Sequence, residues 1–261
     1  MAVLVTAALA ILAYSVSCAV YASDIYADRD PTGVLSRVVV HSSVALNTVL
    51  VGFLAIDGGP RSLLTNGNVL AVLALVLGAT FLVVRERWPI RAAGALVTPV
   101  AALLIGAWMV TLGEYVGGRA PTLIVAIHVG LAIIGIATFV VASVLSVLYL
   151  IQERQLRRRE FGRLFQRLPS LDVLDDAGFR LVSAGFVIYL IAVILGLATT
   201  LRSGHGIDVR SWLGIGALVV FGAVVGLRIT AGWRGAQAAK LTIAGCVTMV
   251  LVLGLYAVGV A

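Results

Sequence analysis

Apolar residues fall along this chain in long unbroken runs, separated by short polar stretches. A helix needs about 20 mostly apolar residues to cross a bilayer core. Eight runs meet that requirement, at 3–22, 38–56, 66–84, 92–112, 121–150, 179–200, 211–230 and 239–259. They predict an all-α, polytopic membrane protein with eight transmembrane helices. The first run follows Met1-Ala-Val-Leu-Val, which holds no basic segment and leads to no cleavage signal. It therefore reads as a retained span rather than a signal peptide. The longest connecting stretch is 151–178, so the chain is expected to form a single integral membrane domain over 1–261.

That stretch has a pattern of its own. Phe161, Leu164, Phe165 and Leu168 recur at i, i+3, i+4 and i+7, and arginines fill the other positions. The expectation is a basic amphipathic loop in which the helix of span five runs on to Leu168 and stops at Pro169. Ser170 is placed to cap a short turn over 171–174 before span six. Such a segment lies at the inner headgroup surface or docks a cytoplasmic partner.

Composition agrees with the pattern. The 261 residues are 61% hydrophobic and 12% charged, and mean hydropathy is +1.10. Soluble domains carry roughly 25% charged residues. Half that share leaves too little polar surface for a water-exposed globule, which excludes a soluble enzyme and a disordered chain.

The net charge of +7 comes from 18 arginines and Lys240 against 12 acidic residues. Fifteen of the basic residues lie in or beside connections one, three, five and seven. Arg61, Arg119, Arg202 and Arg210 are the four on the other side. Basic residues stay cytoplasmic, so both termini are expected on the outer, extracytoplasmic side and 151–178 on the inner side. The charge is thus an orientation signal and no nucleic-acid partner is implied.

Little conventional chemistry is present. Cys18 and Cys246 lie inside apolar runs and form no Cys-x-x-Cys pair, so they read as small hydrophobes. There is no His-Glu-x-x-His, no Gly-x-Ser-x-Gly and no pair of intramembrane carboxylates; Glu114 is at a span end. No catalytic residue is expected, and the chain does not read as an enzyme. Pro99 is the one proline well inside a span and no internal repeat is evident. Both weigh against a small-molecule transporter, which predicts repeats and broken spans.

Several stretches are familiar. Leu148-Tyr-Leu-Ile-Gln-Glu-Arg-Gln-Leu-Arg, Leu168-Pro-Ser-Leu-Asp-Val-Leu-Asp, Phe179-Arg-Leu-Val-Ser-Ala-Gly-Phe and Gly232-Trp-Arg-Gly-Ala-Gln-Ala-Ala resemble the cytochrome c assembly protein family. So do His41, early in span two, and His128, early in span five. The resemblance is to the compact eight-span branch, the HemX-like and YpjD-like proteins related to CcsA. It covers the whole chain and is most specific over 127–239.

The resemblance implies a haem-handling protein of a bacterial-type plasma membrane that assists c-type cytochrome maturation. It binds haem, haem b as the candidate, between helices and without transforming it. The implied partners are other cytochrome c assembly membrane proteins. Some compact members are linked instead to control of haem biosynthesis, which implies a membrane scaffold for a cytoplasmic tetrapyrrole-pathway enzyme.

Under that resemblance the candidate iron ligands are His128 and His41. An ionisable side chain inside a membrane is costly and usually faces the bundle interior, and neutral imidazole is a normal axial haem ligand. The alternative for His41 is an interfacial histidine bonded to a backbone carbonyl or to lipid headgroups. For His128 it is a polar link between helices. His205, in an outer Ser-Gly-His-Gly loop, reads first as a solvated loop residue and second as a cofactor-binding candidate.

Two features depart from the family. Its outer Trp-Asp-Pro-Lys-Glu motif is reduced to Ile207-Asp-Val-Arg-Ser, which keeps Asp208 and puts Arg210 in place of the lysine. Asp208 is a candidate cofactor contact or a helix N-cap, and Arg210 pairs a propionate or snorkels to the interface. The histidine that the family carries two residues before an arginine is Gly226 here. His41 is therefore expected to lack a histidine partner within one chain.

Overall fold

The computed structural model describes residues 1–27, 33–64, 68–111, 122–159, 162–202 and 209–257. Nine α-helices are described: α1 Ala2–Ala27, α2 Val34–Gly58, α3 Val69–Arg87, α4 Gly94–Thr111, α5 Leu123–Arg158, α6 Arg163–Arg167, α7 Leu171–Arg202, α8 Val209–Ala231 and α9 Ala236–Ala257. Two 3₁₀ turns, Pro60–Leu64 and Arg91–Ala93, join α2 to α3 and α3 to α4. All except α6 match the eight apolar runs. Seven of the helices are long and apolar enough to cross a membrane, and α9 adds a shorter apolar stretch over Ala236–Leu251. The protein is a multi-pass, all-helical membrane protein.

The helices pack as two four-helix units. In the first, α1 packs on α2 and α4, and α3 on α2 and α4; in the second, α5 packs on α7 and α9, and α8 on α7 and α9. Helices α3 and α5 join the units. Because helices alternate in direction, the ends of α1, α3 and α5 gather with the starts of α2, α4, α7 and α9. This end of the bundle carries most of the arginines and is called the arginine-rich end below.

The first unit is tied there by Arg85, which is buried. Its guanidinium donates to the Tyr21 hydroxyl (2.7 Å), the Gly33 carbonyl (2.9 Å) and the Ser36 hydroxyl (3.3 Å). One cation thus links the ends of α1, α2 and α3. A buried charge is tolerated only when hydrogen-bonded in this way. Deeper in the same unit, Pro99 has no N–H to give the Ala95 carbonyl one turn earlier. The Cys18 thiol of α1 donates to that carbonyl at 3.5 Å. Cys18 is therefore more than a small hydrophobe: it supplies a weak donor where the proline removes one.

The second unit is sealed across its middle by aromatic rings. Phe139 and Phe221 stack with centroids 3.6 Å apart, and Tyr189 meets Phe139 edge-on at 5.8 Å. Glycines make room for them. A β-carbon at Gly185 would lie 2.9 Å from Phe139, and one at Gly245 would lie 2.8 Å from Phe221. Small residues let helices approach closely where no hydrophobic drive exists between them.

At the arginine-rich end this unit is pinched together by an ion pair, which leaves a space of only about 20 Å³ beside it. Arg228 pairs with Asp175 at 2.7 Å, with 10% and 17% of the side chains exposed. The other Asp175 oxygen accepts the Gly235 N–H at 3.1 Å, and the guanidinium lies 4.3 Å from the centre of the Phe179 ring.

The loop after span five differs from the expected continuous helix. α5 runs without interruption to Arg158, then Arg159 adopts a left-handed conformation (φ 57°) and ends it. The short α6 follows, and Arg163 donates to the Tyr26 carbonyl at the end of α1. Leu168 is buried; Phe161 and the Leu164 side chain lie outside the described residues. Competing contacts explain the break, because turning at Arg159 brings α6 back against α1. The short turn expected at 171–174 is the first turn of α7, where the Ser170 carbonyl accepts the Val173 and Leu174 N–H groups.

Candidate functional site

Away from the pinched end, α5, α7 and α8 diverge. On α5, Val125, His128, Val129, Ala132, Ile133 and Ile136 share one face by the helical period. On α7 the same holds for Tyr189, Val193, Gly196, Leu197 and Thr200. These faces, with Ser211, Gly214 and Ile215 of α8 and Val69 of α3, wall a cleft of about 350 Å³. That volume lies within the range of small-molecule sites, roughly 300–1,000 Å³. Its floor is Tyr189, just above the Phe139–Phe221 stack. Its walls are apolar, and its remaining polar groups are His128 and the hydroxyls of Thr199, Thr200 and Ser211.

His128 stands about 8 Å along α5 from Leu123, at 1.5 Å per residue. Its Nδ1 lies 2.6 Å from the Ala192 carbonyl of α7. A carbonyl oxygen only accepts, so Nδ1 carries the proton and donates. Nε2 then holds the lone pair, and it makes no protein hydrogen bond among the described residues. The ring also rests on Gly196, where a β-carbon would lie 2.6 Å from its Cε1. An imidazole with one nitrogen tied to a backbone carbonyl and the other open is the usual state of a metal-ligating histidine.

His41 is placed differently. It is exposed on the outer flank of α2 near the arginine-rich end, and its Nδ1 donates to the Arg37 carbonyl at 2.7 Å. His128 is at the opposite end of the bundle, so the two histidines do not share a site. Nor do His41 and position 226: α2 packs on α1 and α3, while α8 packs on α7 and α9. A β-carbon at Gly226 would meet nothing within 4 Å.

His205 and Asp208 lie outside the described residues, as does Glu114. Arg210 falls in the first turn of α8, next to the cleft-lining Ser211, but its side chain also lies outside them. Trp212 is 60% exposed and is not part of the cleft wall. The aromatic group that does face the cleft is Tyr189, which sequence reasoning passed over. Its signal was its spacing from Val193 and Gly196 on one face of α7. Among the described residues, no cluster of three or more metal-ligating side chains occurs.

Residues 62–260 match the model of a family described as cytochrome c assembly protein. HemX of Brevibacillus brevis is 34% identical over 70 residues, covering 27% of this chain and 26% of that protein. The match thus spans about a quarter of HemX. A cytochrome c biogenesis protein, CcsA of Guillardia theta, is 24% identical over 77% of this chain and 75% of its own. The inner membrane protein YpjD of Escherichia coli K12 is 25% identical over 95% of this chain and 94% of its own. No solved structure matches the chain.

Proposed function

Since the chain belongs to the cytochrome c assembly protein family, we propose that it handles haem in a bacterial-type plasma membrane during c-type cytochrome maturation, holding the cargo in the cleft between α5, α7 and α8. One observation carries this reading: His128, with Nδ1 tied to the Ala192 carbonyl and no protein partner for Nε2 among the described residues, lines an apolar cleft that also holds the hydroxyls of Thr199, Thr200 and Ser211. The donor set suits the cargo. Neutral imidazole is an axial ligand for haem iron, apolar walls suit a macrocycle, and Thr199, Thr200 and Ser211 suit its polar edge. The work proposed for the protein is to bind, orient and shield its cargo. Haem b is the form assigned, and other cytochrome c assembly membrane proteins are the partners that would deliver or receive it.

Orientation follows from charge. Arg85 and Arg228 are consumed as internal ties, yet the excess at the arginine-rich end remains. Positive residues stay inside, so that end is cytoplasmic and the cleft opens towards the outer side. His41 then lies at the inner interface, and the first turn of α8 at the outer end.

A second reading is favoured by one feature. At 36 residues α5 is about 54 Å long, against a core of about 30 Å. Its last turns project with Arg154, Arg157 and Arg158 exposed, as an anchor for a cytoplasmic tetrapyrrole-pathway enzyme would need.

Absorption spectroscopy decides between the two. Protein purified in mild detergent, with haem supplied during expression, is expected to show a Soret band with stoichiometric haem. Its absence even after supplementation overturns the haem reading and leaves the anchor.

A further inference from the structure

We infer that Gly196 and the Ala192 carbonyl form a seat that fixes the tautomer and direction of His128, making Gly196 a positioning residue of the cleft. The purpose of the seat rests on the proposed haem reading; the seat itself does not.

The geometry is specific to this turn of α7. The Ala192 carbonyl is the acceptor that the Gly196 N–H uses within the helix. An oxygen has two lone pairs, so the same carbonyl also takes Nδ1–H of His128 at 2.6 Å. To reach it, the imidazole must cross the surface of α7 directly above position 196. A β-carbon there would lie 2.6 Å from Cε1, 2.9 Å from Nδ1 and 3.2 Å from Nε2. The absence of a side chain at 196 is what admits the ring. The next carbonyl, of Gly196 itself, is taken by the Thr199 and Thr200 hydroxyls at 2.7 and 3.1 Å. Neither threonine therefore competes for Ala192, and the acceptor facing His128 stays single.

The consequence is electronic as well as steric. With Nδ1–H held by a carbonyl, Nε2 is the nitrogen that carries the lone pair, and the hydrogen bond raises its basicity. A ring free to turn would populate both tautomers and present a donor to the cleft for part of the time.

Gly196→Ala tests the seat without threatening the fold. Alanine favours a helix over glycine, and the three nearest atoms it meets belong to the His128 ring, the end of a side chain able to rotate. The matched control is Gly130→Ala, two residues from the histidine on the same helix, where a β-carbon meets nothing within 4 Å.

With His41 and His205 changed to Gln, ¹⁵N-histidine labelling leaves one imidazole to observe by NMR. At a pH where the ring is neutral, wild type and Gly130→Ala are expected to show protonated Nδ1 and unprotonated Nε2. Gly196→Ala is expected to shift population to the other tautomer. An Nε2–H signal in the parent protein, or identical spectra for the parent and Gly196→Ala, overturns the inference; the parent spectrum alone is decisive should the variant fail to fold. Haem affinity is expected to fall about 10- to 100-fold in Gly196→Ala and not to fall further when Gly196→Ala is added to His128→Ala. If the parent protein binds no haem at all, the functional reading fails while the tautomer result still judges the seat.

Discussion

Asp175→Ala is expected to destabilise the protein by about 3–5 kcal/mol, the usual cost of removing one partner from a buried ion pair. Asp175 holds three things together. One oxygen pairs with Arg228 of α8 at 2.7 Å, and the other accepts the Gly235 N–H before α9 at 3.1 Å. α7 itself carries the carboxylate. Without it the Arg228 guanidinium stays largely buried, with only the Phe179 face against it. A cation over an aromatic ring contributes about 0.5–2 kcal/mol, too little to replace an ion pair and a hydrogen bond. Gly235 would also lose the partner that holds its left-handed turn (φ 70°). Thermal unfolding in detergent, followed by circular dichroism, checks this. A large fall in the midpoint is expected for Asp175→Ala and a smaller one for Asp175→Asn, which keeps an acceptor. A loss below about 1 kcal/mol would place the pair among surface salt bridges and remove the argument that this end is closed by design.

Ala132→Trp is expected to lower haem affinity more than 100-fold while leaving the fold intact. Ala132 follows His128 by four residues, so it lies on the same face of α5 and one turn deeper in the cleft. An indole there occupies the space beneath the imidazole and leaves every His128 contact in place. The cleft is open volume rather than packed core, so the added ring meets little resistance and covers apolar wall. A hundredfold change corresponds to about 2.8 kcal/mol. Titration of the apo-protein with haem, read at the Soret band, measures it. Unchanged affinity would mean that the cargo is held elsewhere. The pair Asp175→Ala and Ala132→Trp separates two roles: the first strikes stability, the second binding.

The architecture was legible in the sequence because a bilayer imposes it. Eight apolar runs became eight helices, with ends shifted by up to eight residues. What the sequence did not disclose is which charges are spent inside. Arg85 and Arg228 look like any other basic residue next to a span, yet each ties helix ends together. Their neighbours, Tyr21 and Asp175, come from distant parts of the chain, and no local pattern announces the meeting. The break at Arg159 was hidden for a similar reason: the amphipathic spacing of 161–168 favours helix, and docking of α6 on α1 overrides it.

The site was legible in part. His128 stood out because a histidine is costly in a membrane, and it does line the cleft. Tyr189, Gly196 and Ser211 did not stand out, since Tyr, Gly and Ser are ordinary residues in spans. Their role arises from three helices diverging above an aromatic layer. The stretches that resemble the family build other ground. Asp175, Phe179 and Gly235 belong to them, and all three form the pinch at the closed end. The likeness also takes in His128, so it spans both the closed end and the cleft, whose wall is otherwise written in single residues at helical spacing.

The central claim is that His128, and not His41, presents the ligand for haem. The most direct measurement compares wild type, His41→Ala and His128→Ala, each loaded with haem in detergent and read by absorption spectroscopy in the oxidised and reduced states. His41→Ala is expected to retain the wild-type bands and stoichiometry, because His41 faces out of the bundle at the other end. His128→Ala is expected to lose the bound haem or shift its Soret band, with recovery on adding free imidazole. Wild-type bands and stoichiometry in His128→Ala would contradict the claim.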